Sequence, residues 1–352
     1  MVNSAVMDGK EEKAVKSIAH NRTFNPLNHP ISFLYPRRIS VSAWIGHVPF
    51  GMYLIDVLRP KAIVELGTHY GVSYCAFCQA VKELGLETRC YAIDSWQGDA
   101  QTGFYGPEVF ADLQEHHNPV YGDFSRLINS TFDEAIGYFA DHTFDLLHFD
   151  GFHTYEAVKR DFEKWLPKLT DRSVVLFHDI NVREREFGVW KLWEEVKLRY
   201  PHFEFVHSHG LGVLAVGKDY PDELNELFQC SAEEATKIRS FFACLGARLE
   251  AAKELAENKQ LLLEMQLELG EKDQSLITKD LQLQEKDLRL GEMDRSLRSK
   301  DLQLQEMDQS IRTKDLHLQE MEKGILVHLR SPSYRLGRAL TWPLRSIKTL
   351  FD

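Results

Sequence analysis

Val64-Glu65-Leu66-Gly67-Thr68-His69-Tyr70-Gly71-Val72-Ser73 is the stretch on which the fold turns. With Ala62 and Ile63 ahead of it, an apolar strand runs into a turn bearing two glycines, and a helix opens behind. Gly67 permits the tight turn, and Gly71 lets that helix approach a ligand with no Cβ in the way. Backbone N–H groups at a helix start are unpaired and can face such a ligand. Many strand-to-helix turns carry two glycines, so the loop takes its meaning from its context. His69 stands where the nicotinamide fingerprint G-x-G-x-x-G has its second glycine, which excludes that motif.

Outward from this loop, three more apolar runs read as buried strands: Arg89 to Asp94, Phe144 to Asp150 and Ser173 to Asp179. Each ends at an acidic or glycine-rich turn, and helical patterns separate them. That alternation predicts an α/β fold over residues 40–217, doubly wound about a mostly parallel sheet. Phe203–His207 and Gly212–Gly217 would close it as a hairpin. Asp94, Asp150, His178 and Asp179 all fall at strand ends, the edge at which such sheets bind ligands. Asp94, one strand after the glycine loop, is suited to hold both hydroxyls of a ribose. Asp150 and Asp179 would either cap helices or hold a hard divalent ion such as Mg²⁺. His153 is either a general base, titrating near the working pH, or a packed residue at a helix start. Cys75 and Cys78 form a C-x-x-C pair on the helix after the loop, with no second pair at zinc spacing, and read as packing.

The flanks differ in texture. Residues 1–39 form a polar arm with Pro26, Pro30 and Pro36, and residues 218–250 a helical connector. Over 251–327 the chain repeats itself: Lys-Asp-Leu-Gln-Leu-Gln-Glu stands at 279–285 and again at 300–306. A Leu or Ile recurs every seventh residue from Leu255 to Ile325, with Met or Lys three residues later. This is a heptad seam, which predicts a long coiled coil and a homo-oligomer. Unbroken helix over 255–325 would reach roughly 105 Å. Residues 328–352 form a basic amphipathic tail, with Arg330, Arg335, Arg338, Arg345 and Lys348 among Tyr334, Trp342 and Phe351. Such a tail suits peripheral contact with a membrane surface.

Among 352 residues, 43% are hydrophobic and 11% aromatic, enough for one sizeable core plus an extension. A net charge of −11 argues against nucleic acid as a partner. No run is apolar and long enough to span a bilayer, and the N-terminus does not read as a secretory signal. The five cysteines lack a disulfide framework. Together these point to the cytoplasm, with the tail directed at the inner membrane face.

Four motifs in combination resemble class I S-adenosylmethionine-dependent methyltransferases. They are Glu65 to Ser73, Ala92 to Asp99, Asp150-Gly151-Phe152-His153-Thr154-Tyr155-Glu156 and Leu176 to Asp179. The third is an Asp-Gly-x-His-x-Tyr-Glu signature, found among small-molecule and polysaccharide O-methyltransferases. The resemblance covers about half the chain and implies a Rossmann-like methyltransferase sheet. It implies that Glu65, Gly67 and Gly71 hold the methionine end of the cofactor, Asp94 its ribose, and Asp123 lies near its adenine. It implies a metal at Asp150, His178 and Asp179, with Asp150 and His153 catalytic. Some relatives carry an acid where this chain has Phe152, which shifts the base's burden to His153. The acceptor it implies is a sugar or glycan hydroxyl of a bacterial surface polysaccharide. A macrolide-like or catechol-like acceptor, or a non-catalytic scaffold built on the same fold, are the alternatives.

Overall fold

The computed structural model describes residues 24–99, 103–184, 186–337 and 339–340. Nine strands are described: β1 (Ala62–Leu66), β2 (Arg89–Asp94), β3 (Gly98–Asp99), β4 (Gly103–Phe104), β5 (Ser125–Asn129), β6 (Phe144–Phe149), β7 (Leu169–His178), β8 (His202–Phe205) and β9 (Leu211–Ala215). The α-helices with both ends described are α1 (Val48–Leu58), α2 (Val72–Glu83), α3 (Pro107–Tyr121), α4 (Phe132–Ala135), α5 (Tyr155–Trp165), α6 (Val189–Val196), α7 (Asn225–Phe228) and α8 (Ala232–Arg330), and residues 332–337 are helical as well. Seven strands form one sheet in the order β5-β2-β1-β6-β7-β9-β8. The first five are parallel, and β9 and β8 close the edge as an antiparallel hairpin. Chain order reverses between β1 and β6, and a crevice opens there at the strand C-termini.

Strand alternation divides the core in two. Ile63, Leu146, Val174 and Leu176 face the layer built on α1, α2 and α3. Val64, Leu147, Val175 and Phe177 face the layer built on α5 and α6. A sheet covered on both faces needs strands that are apolar nearly throughout, and β1 and β6 are buried at every position.

The compact unit is wider than the 40–217 span read from sequence texture. It runs to Lys259, and a second unit begins at Gln260. Ile31 from the arm, and Ile238, Phe242 and Leu249 from the first turns of α8, are buried in the first layer. The expected connector therefore packs one face into this core, where Phe242 meets Phe50, Tyr53 and Phe205 edge-on or tilted. The 251–327 segment is helical throughout and lies within α8. No described helix is long and apolar enough to cross a membrane. Most of the arm (1–23) and most of the tail (Arg338 and 341–352) lie outside the described residues.

Candidate functional site

The floor of the crevice is where the ends of β1, β2 and β6 are stitched together. Gly67 N donates to Ile93 O at 2.9 Å, and Asp150 N donates to Leu66 O at 2.9 Å. Gly67 has φ +87°, and a Cβ on it would stand 2.2 Å from the Asp150 carbonyl oxygen. Only glycine fits there. Asp94 fixes the loop that follows: Oδ2 accepts from Thr68 N (2.8 Å) and His69 N (2.9 Å), and Oδ1 accepts from Trp96 N (2.7 Å). A carboxylate can accept about four hydrogen bonds, so Asp94 can still receive a ligand hydroxyl. Above this floor lies a cavity of about 950 Å³, lined by Gly67, His69 and Asp94 on one side and by Asp150, His153, Asp179 and His209 on the other.

The second side is a cluster of carboxylates and imidazoles. Asp179 follows β7 and sits in the left-handed region, φ 63°. Its Oδ1 is 3.1 Å from His209 Nδ1, and its Oδ2 is 3.0 Å from His153 Nε2. Asp150 Oδ1 is 2.9 Å from His178 Nδ1. His178 Nε2 in turn points at the Ser208 carbonyl, 3.2 Å away, so both its ring nitrogens face acceptors. Burial alone would lower the pKa of His178, but Asp150 and Asp179 outweigh it and push it up to about 9. His178 is thus an imidazolium lodged between two carboxylates. Burial also opposes ionisation of Asp150, yet His178 holds that carboxyl below the usual range. Asp179 is held below it as well: burial is overcome by His178, His153 and His209.

Neither aspartate caps a helix. Thr154 is the N-cap of α5, its hydroxyl accepting from Ala157 N, and Gly188 precedes α6. Asp150, His153 and Asp179 instead bring one ligand atom each to within 4.8 Å of one another, a set that fits a divalent ion. This triad shares Asp150 and Asp179 with the set expected from sequence and brings in His153, while both ring nitrogens of His178 face acceptors. His153, read from sequence as a general base or a packed residue, is held on two sides. Its Nε2 is turned to Asp179 and its ring is stacked on Phe187, centroids 4.4 Å apart.

Three expected cofactor residues are not among those lining the cavity. Glu65 is fully buried and bonded through Oε2 to His148 Nδ1 (2.8 Å), whose Nε2 accepts from Trp44 Nε1 (3.0 Å). It belongs to the layer beneath the crevice rather than to its wall. Gly71 has φ +75°, and a Cβ there would strike Leu113 Cδ1 of α3 at 2.5 Å, so it serves the turn and the packing. Asp123 is exposed before the start of β5, at the opposite edge of the sheet from Asn129 and Ser130. It cannot lie near a ligand held at the strand C-termini.

Other cavity residues carried no sequence signal. Val41, Ser42 and Ala43 form one lip, Val182, Arg183 and Phe187 another, and Ser130 to Phe132 close the β5 end. Backbone strain marks the same edge: His69, Trp96, Asp179, Ser208 and His209 all have left-handed φ. Each such residue costs about 1–3 kcal/mol, and such strain collects at ligand sites.

A seven-stranded, doubly wound sheet with a glycine loop, a loop-pinning acid on the next strand and an Asp/His cluster across a crevice defines the class: an α/β domain with a cavity at the strand C-termini. Residues 64–180 match the protein family described as a methyltransferase domain. An uncharacterised protein of Sinorhizobium fredii, y4gI, is 48% identical over 220 residues, 62% of this chain. The match spans 24% of the length of that relative. Among solved structures, the S-adenosylhomocysteine-bound methyltransferase PaMTH1 of Podospora anserina is similar over 62% of this chain and 100% of its own, at 13% identity and a TM-score of 0.40. The O-methyltransferase TomG of Streptomyces achromogenes is similar over 59% of this chain and 96% of its own, at 14% identity and a TM-score of 0.39.

Proposed function

We propose that this domain is an S-adenosylmethionine-dependent O-methyltransferase acting on a sugar hydroxyl of a bacterial cell-surface polysaccharide or its precursor. One observation carries the reading: Gly67 and Asp94 face Asp150, His153, Asp179 and His209 across one cavity. When bound, the cofactor supplies an electrophilic methyl group on a sulfonium. On the chain's side, the glycine loop admits the close approach, and Asp94 has capacity left for a ribose hydroxyl. An acceptor taking the methyl must lose its hydroxyl proton, and the cofactor's sulfur would be left as a neutral thioether. We assign that proton to His209. Its Nδ1 is held by Asp179, which leaves Nε2 to face the acceptor, and it lines the cavity half-exposed. A divalent ion on Asp150, His153 and Asp179 would lower the acceptor hydroxyl's pKa. The sugar rests on the Asp-Gly-x-His-x-Tyr-Glu resemblance and is supported by a lip that mixes Phe152 and Phe187 with Asn181 and Arg183.

Titration calorimetry with S-adenosylmethionine, followed by transfer of labelled methyl to a panel of glycans, tests this directly. Binding and a labelled glycan are expected. No binding would replace the enzyme by a scaffold, and label entering only aromatic hydroxyls would overturn the sugar.

A further inference from the structure

The second unit offers a surface with nothing on it. From Leu262 to Ile325 a Leu or Ile stands every seventh residue along α8, each of them 53–63% exposed. Three residues after each but the last comes the second core position, filled by Met265, Met293, Met307 and Met321 in some heptads and by Lys272, Lys279, Lys286, Lys300 and Lys314 in others. An Asp directly follows each of those five lysines: Asp273, Asp280, Asp287, Asp301 and Asp315. Among the described residues Lys272 pairs with Glu268, and none of the other four lysines or of these aspartates makes an ion pair. The aspartates after methionine do: Asp294 pairs with Arg298 and Asp308 with Arg312, each four residues on. Adjacent residues on a helix do not face each other, so Lys and Asp in one copy cannot satisfy one another.

We propose that this helix pairs with a second copy of the chain, in parallel and in register, and that each core Lys is met by the Asp that follows its counterpart. In a parallel pair, like core positions share a layer, and the residue after the second core position flanks that layer. Leucine layers then meet leucine and methionine layers meet methionine. Each lysine layer holds two ammonium groups and two carboxylates and is neutral. An antiparallel pair would set leucines against lysines and would bring the aspartate rows of the two copies face to face. Register follows from the order of the layers. A slip of one heptad sets Lys300 on Met293 or Met307, and a slip of two sets Lys279 on Met293. Two strands suffice because a lysine stem can lie along the apolar layer with its ammonium at the open flank, which a wider bundle would close.

The experiment uses the full chain with the exposed Cys244 replaced (Cys244→Ser). Sedimentation equilibrium should give a dimer; a monomer, or a trimer or larger species, overturns the proposal. Leu269→Cys alone and Leu318→Cys alone should each yield a disulfide-linked dimer on mild oxidation. Cross-linking that appears only when the two variants are mixed would show antiparallel pairing. Lys300→Glu with Lys314→Glu should weaken the dimer by roughly tenfold or more, since four like-charge contacts replace four favourable ones. Adding Asp301→Lys and Asp315→Lys to that chain should restore it, and failure to do so would refute the Lys–Asp contacts.

Discussion

Asp94 joins the two things the crevice must do, hold its own loop and receive a ligand, and substitution can separate them. Its carboxylate accepts three backbone N–H groups, from Thr68, His69 and Trp96, at 2.7–2.9 Å. Thr68 and Trp96 are almost wholly buried, so water cannot replace the lost acceptor. In Asp94→Asn one oxygen can keep the Thr68 and His69 bonds, but the amide NH₂ then faces the Trp96 N–H, donor against donor. One charge-assisted bond is lost and one buried donor is orphaned, about 1.5–3 kcal/mol together. For a unit of this size that is a fall in melting temperature of roughly 3–12 °C. Asp94→Ala orphans all three donors and should cost at least ~3 kcal/mol. Melting followed by tryptophan fluorescence reads the first effect, and calorimetry on the still-folded Asn variant reads the second. An Asn variant that melts with the parent would refute the loop-pinning argument. A variant that melts early yet binds S-adenosylmethionine with parental affinity would leave Asp94 a structural role only.

Four further outcomes are expected. Methyl transfer should fall in excess chelator and recover with Mg²⁺, while His209→Asn should lower kcat more than it weakens cofactor binding; full activity with chelator removes the metal, and full activity of the variant removes the base. His148→Ala leaves the Glu65 carboxylate buried without its partner and should cost ~3–5 kcal/mol in unfolding free energy, while Trp44→Phe, which strands only the His148 Nε2, should cost ~1–3; equal losses in denaturant titrations would contradict this ranking. Burial holds the His117 imidazole below its ordinary range, so the unfolded chain takes up a proton below about pH 6.5 that the folded chain refuses, and stability present above that pH is lost as the pH falls; Tm measured from pH 7 downward should decline less steeply in His117→Gln. Full-length protein should float with anionic liposomes at low salt and not at high salt, and deletion of 328–352 should abolish it; flotation that survives the deletion excludes the tail.

The parts of this structure legible in the sequence are those where one residue type answers one local demand. β1 begins and ends where its run of buried residues does, with Glu65 the one polar side chain among five. Gly67 was readable because a left-handed turn against the Asp150 carbonyl admits no side chain. β5 carries no such signal, since most of its five residues are only partly buried or exposed and look like a loop. Glu65 is a different case. It stands in the motif, but whether an acid beside a glycine loop points into the crevice or beneath it depends on what waits there. His148 and Trp44, 83 and 104 residues apart from their partners in the chain, leave no trace near Glu65. The same limit hid the lips formed by Val41 to Ala43 and Val182 to Phe187, which long-range packing alone brings to the cavity.

Asp179 shows how few residues set the chemistry of the crevice. A left-handed φ of 63° at the end of β7 is a conformation that Asp tolerates better than most residues, and it sets the carboxylate among three imidazoles. One oxygen meets His209; the other meets His153 at 3.0 Å and His178 at 3.5 Å. His178 bears the positive charge that lets Asp150 and Asp179 stay ionised side by side in a buried place. Without that cation, two carboxylates this close would compete for a proton, and neither could serve a metal or orient a base. His178 thus sits between Asp150 and Asp179, while His153 and His209, held by opposite oxygens of Asp179, line the cavity wall.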